Sequence, residues 1–269
     1  MIEILKAVLV LGIMGAVFGG VLAFAAKIFY VEQDPRLTEI REALAGANCG
    51  GCGYPGCDGY AAAVLKGEAG PSCCVAGGVA TSQKIAAIMG LDAGVETKYV
   101  AFVPCSGGEG HAQLFFDYSG PKDCTAAMRF GNKGPKECQF SCVGLGNCVS
   151  ACQFDAMHLV NGVAEVDREK CVACMACASA CPKKIIRKVP YDQKVLVGCR
   201  SGDKGAVTRK LCDLGCIGCM KCQKECPAEA IKIENNLAVI DYDKCVGCGH
   251  CAEVCPRGIL HPQKIYQHN

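Results

Sequence analysis

The 269-residue sequence predicts an α+β fold, in which one long apolar helix precedes several small domains of short helices and strands. Three observations lead to this prediction. Cysteine accounts for 25 residues, tryptophan is absent and aromatic residues make up only 6%, which is not the composition of one large apolar core. An uncharged run of 20 residues lies between Lys6 and Lys27. The cysteines recur at regular spacings, and bound metal can supply folding free energy that a small core lacks.

The uncharged run at residues 7–26 predicts a single membrane-spanning helix, because about 20 apolar residues cross the hydrocarbon layer. A cleaved signal peptide is the alternative, since Ala23-Phe24-Ala25 resembles a cleavage site. The run is longer than a usual signal core, and free cysteines in metal-binding motifs belong in a reducing compartment. We therefore expect an uncleaved, single-pass anchor in the plasma (inner) membrane, with the cysteine-rich part on the cytoplasmic side. Gly15 and Gly19 have the spacing that lets another membrane helix approach, although glycine is common in such helices.

The first cysteine motif lies in residues 31–92, with the spacing Cys49-x2-Cys52-x4-Cys57 followed by the adjacent pair Cys73 and Cys74. The glycines between these cysteines allow tight turns around an inorganic cluster. Three thiolates need a fourth, and the spacing leaves Cys73 and Cys74 as alternatives. Structural zinc sites use paired cysteine knuckles, which this motif lacks. An iron–sulfur cluster is therefore the better interpretation.

Three later runs share the spacing Cys-x2-Cys-x2-Cys-x3-Cys-Pro, which is that of bacterial ferredoxins. Three thiolates of such a run bind one [4Fe-4S] cluster, and the fourth, before proline, binds the neighbouring cluster. The runs are Cys171, Cys174, Cys177 and Cys181; Cys216, Cys219, Cys222 and Cys226; and Cys245, Cys248, Cys251 and Cys255. Neither disulfide bonds nor zinc require this spacing. Exchange of the fourth ligands predicts one cluster on Cys216, Cys219, Cys222 and Cys255, and another on Cys226, Cys245, Cys248 and Cys251.

The partner of the Cys171 run is irregular, with cysteines at Cys138, Cys142, Cys148 and Cys152. In an alignment with the Cys216 run, Leu145 replaces Cys219, and Cys138 matches Cys212, which the regular run does not need. We therefore expect Cys138 to supply the missing thiolate. The predicted ligand sets are Cys138, Cys142, Cys148 and Cys181 for one cluster, and Cys152, Cys171, Cys174 and Cys177 for its mate. A degenerate half that binds no cluster is the alternative.

The same alignment reveals an internal repeat, which predicts two ferredoxin-like double-cluster modules at residues 93–190 and 191–269. In each copy a β-hairpin separates the cluster loops. Asn161-Gly162 joins residues 157–160 to 163–166, and Asn235-Asn236 joins 230–233 to 237–240. Upstream, residues 101–107 and 195–202 echo each other and are expected to be strands that end in glycine turns. Short helices are expected at 58–67 and 80–90, with a linker at 92–97.

Five clusters use twenty cysteines and leave Cys73, Cys105, Cys124, Cys199 and Cys212 unassigned. These are either small buried hydrophobic residues or, for the last four, ligands of a sixth cluster that their spacing does not require. Five clusters with a resting charge of about −2 each change the formal net charge from +2 to roughly −8. Lysine and arginine are also dispersed along the chain, so the sequence argues against nucleic acid as a partner.

The chain is expected to consist of an anchor (1–30), a glycine-rich four-cysteine domain (31–92) and two double-cluster modules. In this order it resembles the B subunit of the Rnf complex. That family belongs to membrane-bound, ion-translocating ferredoxin:NAD oxidoreductases. The resemblance covers the whole chain and corresponds to the long form of this subunit. In the family the first domain closes with a Cys-x-x-Gly-Gly segment, which Cys74-Val75-Ala76-Gly77-Gly78 matches. The resemblance therefore selects Cys74 over Cys73.

The resemblance implies that the chain accepts electrons from soluble ferredoxin and passes them through five [4Fe-4S] clusters to the other subunits, A, C, D, E and G, and ultimately to NAD. It also implies that flavin and nucleotide are bound elsewhere and that this chain carries no catalytic residue. Because the apolar run contains no ionisable residue, ion movement is expected in other subunits. A stand-alone polyferredoxin is the alternative, which the apolar run disfavours. An enzyme with an open iron needs a three-cysteine site, whereas each motif here can find four cysteines.

Overall fold

The computed structural model describes residues 2–29, 34–92, 97–129 and 133–262. Within these ranges the longest element is helix α1 (Ile2–Ile28), with 27 residues. Its segment Leu9–Ile28 is long and apolar enough to cross a membrane, with a mean hydropathy of 2.3, and none of that segment is buried inside the protein. The large apolar side chains of this segment are therefore exposed. A helix of this length and composition is suited to a bilayer.

Three helices form the next part of the chain: α2 (Pro35–Ala43), α3 (Gly56–Leu65) and α4 (Gly78–Met89). Ile40, Tyr60 and Ile85, one from each helix, are almost completely buried and belong to one apolar cluster. This small core holds the three helices around the first cysteine motif.

The ends of these helices follow ordinary capping chemistry. Asp34 caps α2 by accepting the N–H of Arg36 at 2.9 Å, and α4 ends at Gly90, whose φ of +66° is the left-handed conformation of a helix C-terminus. The two helices expected at 58–67 and 80–90 are confirmed, and each begins two residues earlier than expected. Residues 93–96 of the expected linker lie outside the described residues.

Both predicted hairpins are present. Strand β2 (Met157–Val160) pairs with β3 (Val163–Val166), and β6 (Ile231–Glu234) pairs with β7 (Leu237–Ile240), both antiparallel. The two residues of each turn, Asn161-Gly162 and Asn235-Asn236, all have positive φ, between 47° and 69°. This is the geometry of a type I′ turn, and it explains the asparagine and glycine at these positions.

Each module contains a further sheet of two antiparallel strands. Strand β1 (Tyr99–Phe102) pairs with β4 (Arg187–Pro190), and β5 (Val195–Val197) pairs with β8 (Leu260–Pro262). In both modules the strand that precedes the cysteines is thus joined to the strand that follows the last cysteine run. The strand expected within 195–202 is confirmed at Val195–Val197, whereas the one expected within 101–107 lies earlier, at Tyr99–Phe102, and overlaps that range by two residues. The sequence did not predict the partners of these strands.

Short helices carry or adjoin the cysteines of the modules: α5 (Cys124–Met128), α6 (Asn147–Ser150), α7 (Ala176–Ala180), α8 (Gly205–Leu211), α9 (Lys221–Lys224) and α10 (His250–Glu253). In four of them the residue before the helix is left-handed: Gly146, Met175, Met220 and Gly249. Each of these residues stands two positions before a cysteine. The same left-handed turn therefore recurs in the four cysteine loops of the two modules, where it curves the backbone around the cysteine side chains.

Candidate iron–sulfur sites

The first four-cysteine site, site I, consists of Cys49, Cys52, Cys57 and Cys74, which line one cavity. Cys73 is not among the residues that line it. The side-chain oxygen of Asn48 accepts the N–H of Cys57 at 2.8 Å and fixes the loop. Burial raises the pKa of the Cys74 thiol, so this sulfur lies inside the domain core. The geometry therefore supports Cys74 as the fourth ligand.

Two sites lie in the second module. Site IV consists of Cys216, Cys219, Cys222 and Cys255, which line a common cavity. Site V consists of Cys226, Cys245, Cys248 and Cys251. The pKa of Cys251 is raised to about 11, first by burial and then by the nearby thiols of Cys245, Cys248 and Cys226. The structure thus brings together the sets expected from exchange of the fourth ligands.

Site II, in the first module, consists of Cys152, Cys171, Cys174 and Cys177. The pKa of Cys177 is raised to about 12 by burial and by the thiols of Cys171, Cys174 and Cys152. Two of the sulfurs accept backbone N–H groups: Ala101 donates to Cys171 at 3.3 Å, and Ala156 donates to Cys152 at 3.4 Å. Hydrogen bonds to ligand sulfurs are one of the means by which a protein sets the potential of an iron–sulfur cluster.

Site III differs from the set expected from sequence. Cys142, Cys148 and Cys181 line one cavity together with Cys124, and Cys138 does not line it. The pKa of Cys148 is raised to about 12, first by burial and then by the thiols of Cys142, Cys124 and Cys181. The structure therefore places Cys124, and not Cys138, beside the other three cysteines of site III.

Local hydrogen bonds explain why Cys124 reaches this cavity. Asn147, which begins α6 and precedes Cys148, accepts the N–H of Cys124 at 2.7 Å. The same side chain donates to Asp123 at 3.0 Å, and Asp123 caps α5 by accepting the N–H of Thr125. These contacts hold the first residue of α5 beside α6. Cys124 has no counterpart in the other repeat, so the alignment that selected Cys138 could not select Cys124.

Cys138 lies instead in a different cavity, together with Cys105, Cys199 and Cys212. These four cysteines come from both modules, and we call this group the junction site. Three of them were left unassigned by the sequence. Their convergence was not apparent from spacing, because they are separated by long stretches of chain.

The spacing of cysteines in sites I to V fits a polynuclear cluster better than zinc. In the described part of the chain no three His, Cys, Asp or Glu side chains converge closely enough to bind a single metal ion. Four thiolates around zinc lie about 3.8 Å from one another, because each Zn–S bond is about 2.3 Å long. The thiolates of a [4Fe-4S] cluster lie farther apart, because each binds a separate iron atom.

Family models match three parts of the chain. The "Fe-S cluster" family matches residues 44–76, the "4Fe-4S binding domain" family matches 164–187, and the "4Fe-4S dicluster domain" family matches 215–259. These segments contain site I, the Cys171 run and both regular runs of the second module. The α+β fold of small iron–sulfur domains is therefore confirmed, and the chain is one that binds [4Fe-4S] clusters.

The chain is also similar to curated proteins over most of its length. It is 46% identical over 243 residues to the B subunit of the Na⁺-translocating ferredoxin:NAD⁺ oxidoreductase complex of Acetobacterium woodii, a match that covers 90% of this chain and 73% of that relative. It is 40% identical to the B subunit of the proton-translocating ferredoxin:NAD⁺ oxidoreductase complex of Clostridium ljungdahlii, with coverage of 90% and 86%. It is 38% identical to the B subunit of the ion-translocating oxidoreductase complex of Methanosarcina acetivorans, with coverage of 90% and 92%. At 38–46% identity over 90% of its length, the chain belongs to the family of B subunits of the ion-translocating Rnf oxidoreductase complexes.

Proposed function

We propose that this chain takes electrons from reduced ferredoxin and relays them, one at a time, through a series of [4Fe-4S] clusters to partner subunits that reduce NAD⁺ and move ions. The observation that carries this proposal is the direct contact between successive cysteine sites. A Cβ atom added to Gly51, in the loop of site I, would lie 2.9 Å from the Cα atom of Cys174 in site II. Only glycine permits this approach, so the two loops are packed against each other.

The donor sets of sites I to V fit [4Fe-4S] clusters. Each set brings four thiols together, and in sites II and V backbone N–H groups donate to a ligand sulfur. A bound cluster of this type carries one electron between its oxidised and reduced forms. The chain's own contribution is to hold the thiols, to bury at least one of them at each site, and to direct N–H groups at some of their sulfurs.

The pairing of sites supports transfer within each module. In each module, the last cysteine of a run belongs to the neighbouring site: Cys152 to site II and Cys181 to site III, and likewise Cys226 to site V and Cys255 to site IV. The two sites of a module are therefore built from the same two short segments of chain. The rate of electron transfer falls steeply with distance. Sites that share ligand segments in this way are suited to fast transfer.

We infer that ferredoxin docks at the second module. All 25 cysteines lie in the described residues, and only Cys219 of site IV and Cys248 of site V are exposed. The neighbouring Met220 and Val246 are 48% and 67% exposed. Sites IV and V therefore lie near solvent, where a soluble carrier can approach.

We further propose that α1 is a single-pass anchor in the plasma membrane, with the cysteine sites on the cytoplasmic side, and that the partners are subunits A, C, D, E and G. Site I follows α1 in the chain, so electrons that enter at sites IV and V would leave near the membrane. The lack of ionisable residues at positions 7–26 of α1 supports the assignment of ion movement to the partner subunits.

The test uses the whole complex, purified anaerobically in detergent, and reduced ferredoxin as electron donor. EPR is expected to detect reduced [4Fe-4S] clusters on this subunit within the dead time of mixing and before NADH appears. Removal of residues 1–29 is expected to release the subunit from the complex while ferredoxin still reduces its clusters. Clusters that stay oxidised in the presence of reduced ferredoxin would contradict the relay. A truncated chain that remains in an active complex would favour a carrier held by other contacts.

A further inference from the structure

We propose that the junction site, formed by Cys105, Cys138, Cys199 and Cys212, binds a sixth [4Fe-4S] cluster, which connects the first module to the second. The binding of iron at this site does not depend on the proposed function. The connecting role rests on the relay proposed above.

The four cysteines face one space. They line a single cavity between the modules, and Gly107 forms part of its wall. A Cβ atom added at Gly107 would lie 3.1 Å from the Sγ atom of Cys212 and 3.8 Å from the Sγ atom of Cys105. Glycine therefore leaves open the space between sulfurs that belong to different modules.

The volume of this cavity is similar to that of the other sites. The space without protein atoms, including the solvent at its mouth, is about 410 Å³ at the junction site. The corresponding volumes are about 320 Å³ at site I, 370 Å³ at site III and 320 Å³ at site IV. The junction site thus offers the same donor set and comparable room.

The internal repeat shows that the site is built from two equivalent pairs. Cys105 and Cys199 both follow the first strand of their module, and the sulfur of each accepts a backbone N–H from the equivalent position of the repeat; Cys199 also accepts the N–H of Ser201 at 3.4 Å. Cys142 donates to the Sγ atom of Cys105 at 3.4 Å, and Cys216 donates to that of Cys199 at 3.3 Å. Cys142 and Cys216 are themselves equivalent positions in the repeat, as are Cys138 and Cys212, which precede them by four residues.

Contacts between the modules hold these two pairs together. Ala112 and Cys212 form an antiparallel bridge, in which the N–H of Gln113 donates to the carbonyl of Leu211 at 2.9 Å. The hydroxyl of Ser106, which also lines the cavity, donates to the carbonyl of Gly198 at 2.9 Å. Four cysteines therefore meet where the two copies of the repeat join.

Cationic side chains surround the junction site. Lys183 lies beside Cys138, Cys105 and Cys142, and its ammonium group donates to the carbonyl of Gln139 at 3.0 Å. Arg257 donates to the carbonyl of Cys212 at 2.7 Å. A cluster with four thiolates carries a net charge of about −2 in its oxidised form. These two half-buried cations lie where they would offset such a charge.

The position of the junction site completes a continuous series. Its Cys105 is hydrogen-bonded to the backbone of Cys142 in site III, and its Cys199 is hydrogen-bonded to the backbone of Cys216 in site IV. An electron that passes from site IV to site III through this site oxidises the first cluster by one electron and reduces the next by one, with no proton or bond change. The order of sites then becomes V, IV, junction, III, II and I.

The test measures iron and acid-labile sulfide per chain in anaerobically reconstituted full-length protein. The wild type is expected to contain about 24 iron atoms, and Cys199→Ser about 20. Cys73→Ser is the matched control, because Cys73 lines none of the cavities described above, and it should retain the wild-type content. Equal iron content in Cys199→Ser and the wild type would overturn the proposal, as would zinc in place of iron.

A second variant removes the space and keeps every thiol. Gly107→Val directs its side chain at the sulfurs of Cys212 and Cys105, and it is expected to lose about four iron atoms as well. If Cys199→Ser loses iron from all sites through misfolding, Gly107→Val decides the question: selective loss supports the sixth cluster, and an unchanged content refutes it.

The connecting role needs a kinetic readout. After mixing with reduced ferredoxin, freeze-quench EPR of wild-type complex should show the clusters of both modules reduced together. In Cys199→Ser one module should be reduced at the wild-type rate and the other much more slowly. Identical kinetics in the two proteins would refute the connecting role. Failure of ferredoxin to reduce either protein would instead refute the proposed function and leave the iron content to decide the sixth site.

Discussion

Replacing Cys124 and Cys138 separately and together distinguishes the two possible ligand assignments of site III. Cys124 shares a cavity with Cys142, Cys148 and Cys181, and Cys138 shares another with the remaining three cysteines of the junction site. If the structure assigns these thiols correctly, each substitution removes one ligand from a different cluster. If Cys138 were the fourth ligand of site III, Cys124 would be a bystander.

The expected magnitudes follow from one cluster per site. Wild-type protein should contain about 24 iron atoms, each single Cys→Ser variant about 20 and the double variant about 16, because the two losses are independent. The assay is iron and sulfide per chain under anaerobic conditions, with far-UV circular dichroism to verify folding. The losses of iron in the two single variants add in the double variant only if Cys124 and Cys138 bind different clusters. The effects of distant mutations on the free energy of unfolding add for the same reason.

Two results would refute this reasoning. An unchanged iron content in Cys124→Ser would show that the thiol is not a ligand of site III. A double variant that loses no more iron than Cys138→Ser alone would place the loss in a single cluster and restore the assignment made from the repeat. Cys73→Ser again serves as the control for the loss of a thiol as such.

Three further predictions concern folding. Removing iron with a chelator should abolish most far-UV signal of residues 34–262 while α1 stays helical in detergent, because cysteines form part of each small core; a chelated protein with unchanged ellipticity would contradict this. Tyr60→Phe removes the hydrogen bond from the Tyr60 hydroxyl to the Gly70 carbonyl (2.7 Å) and should lower the free energy of unfolding by about 0.5–1.5 kcal/mol; Tyr54→Phe, whose bond is long and exposed, is the control in the same denaturant titration. Burial raises the pKa of Glu165 from 4.5 to about 7, so its ionisation lowers stability as pH rises between these values. Glu165→Gln should therefore raise the melting temperature more at pH 8 than at pH 6, and an equal gain at both would refute this.

Local patterns made much of this structure predictable. The spacing of the regular cysteine runs defined sites IV and V, and asparagine and glycine at two-residue turns defined both hairpins, since a type I′ turn needs positive φ at both positions. The helices of the first domain followed from residue preferences over a few turns. In each case the relevant residues lie close together in the chain.

Features that depend on distant segments were not predictable in this way. The pairing of β1 with β4 and of β5 with β8 joins strands that are separated by whole cysteine loops. Cys124 reaches site III through Asn147 and Asp123, a local arrangement that occurs in only one copy of the repeat. A repeat predicts what its copies share, and it cannot predict the placement of a cysteine that occurs in one copy alone.

The exposure of Cys219 and Cys248 has a consequence for survival in air. The sensitivity of cysteine sulfur to oxidants follows its solvent access and thiolate character. Dioxygen therefore has the easiest access to sites IV and V, and damage should begin there before it reaches the buried sulfurs. If ferredoxin docks at the second module, as proposed, the loss of these sites would cut the subunit off from its electron supply while the interior centres remain intact and oxidised. If damage follows this order, the protein would stop accepting electrons before its interior centres could transfer electrons to dioxygen.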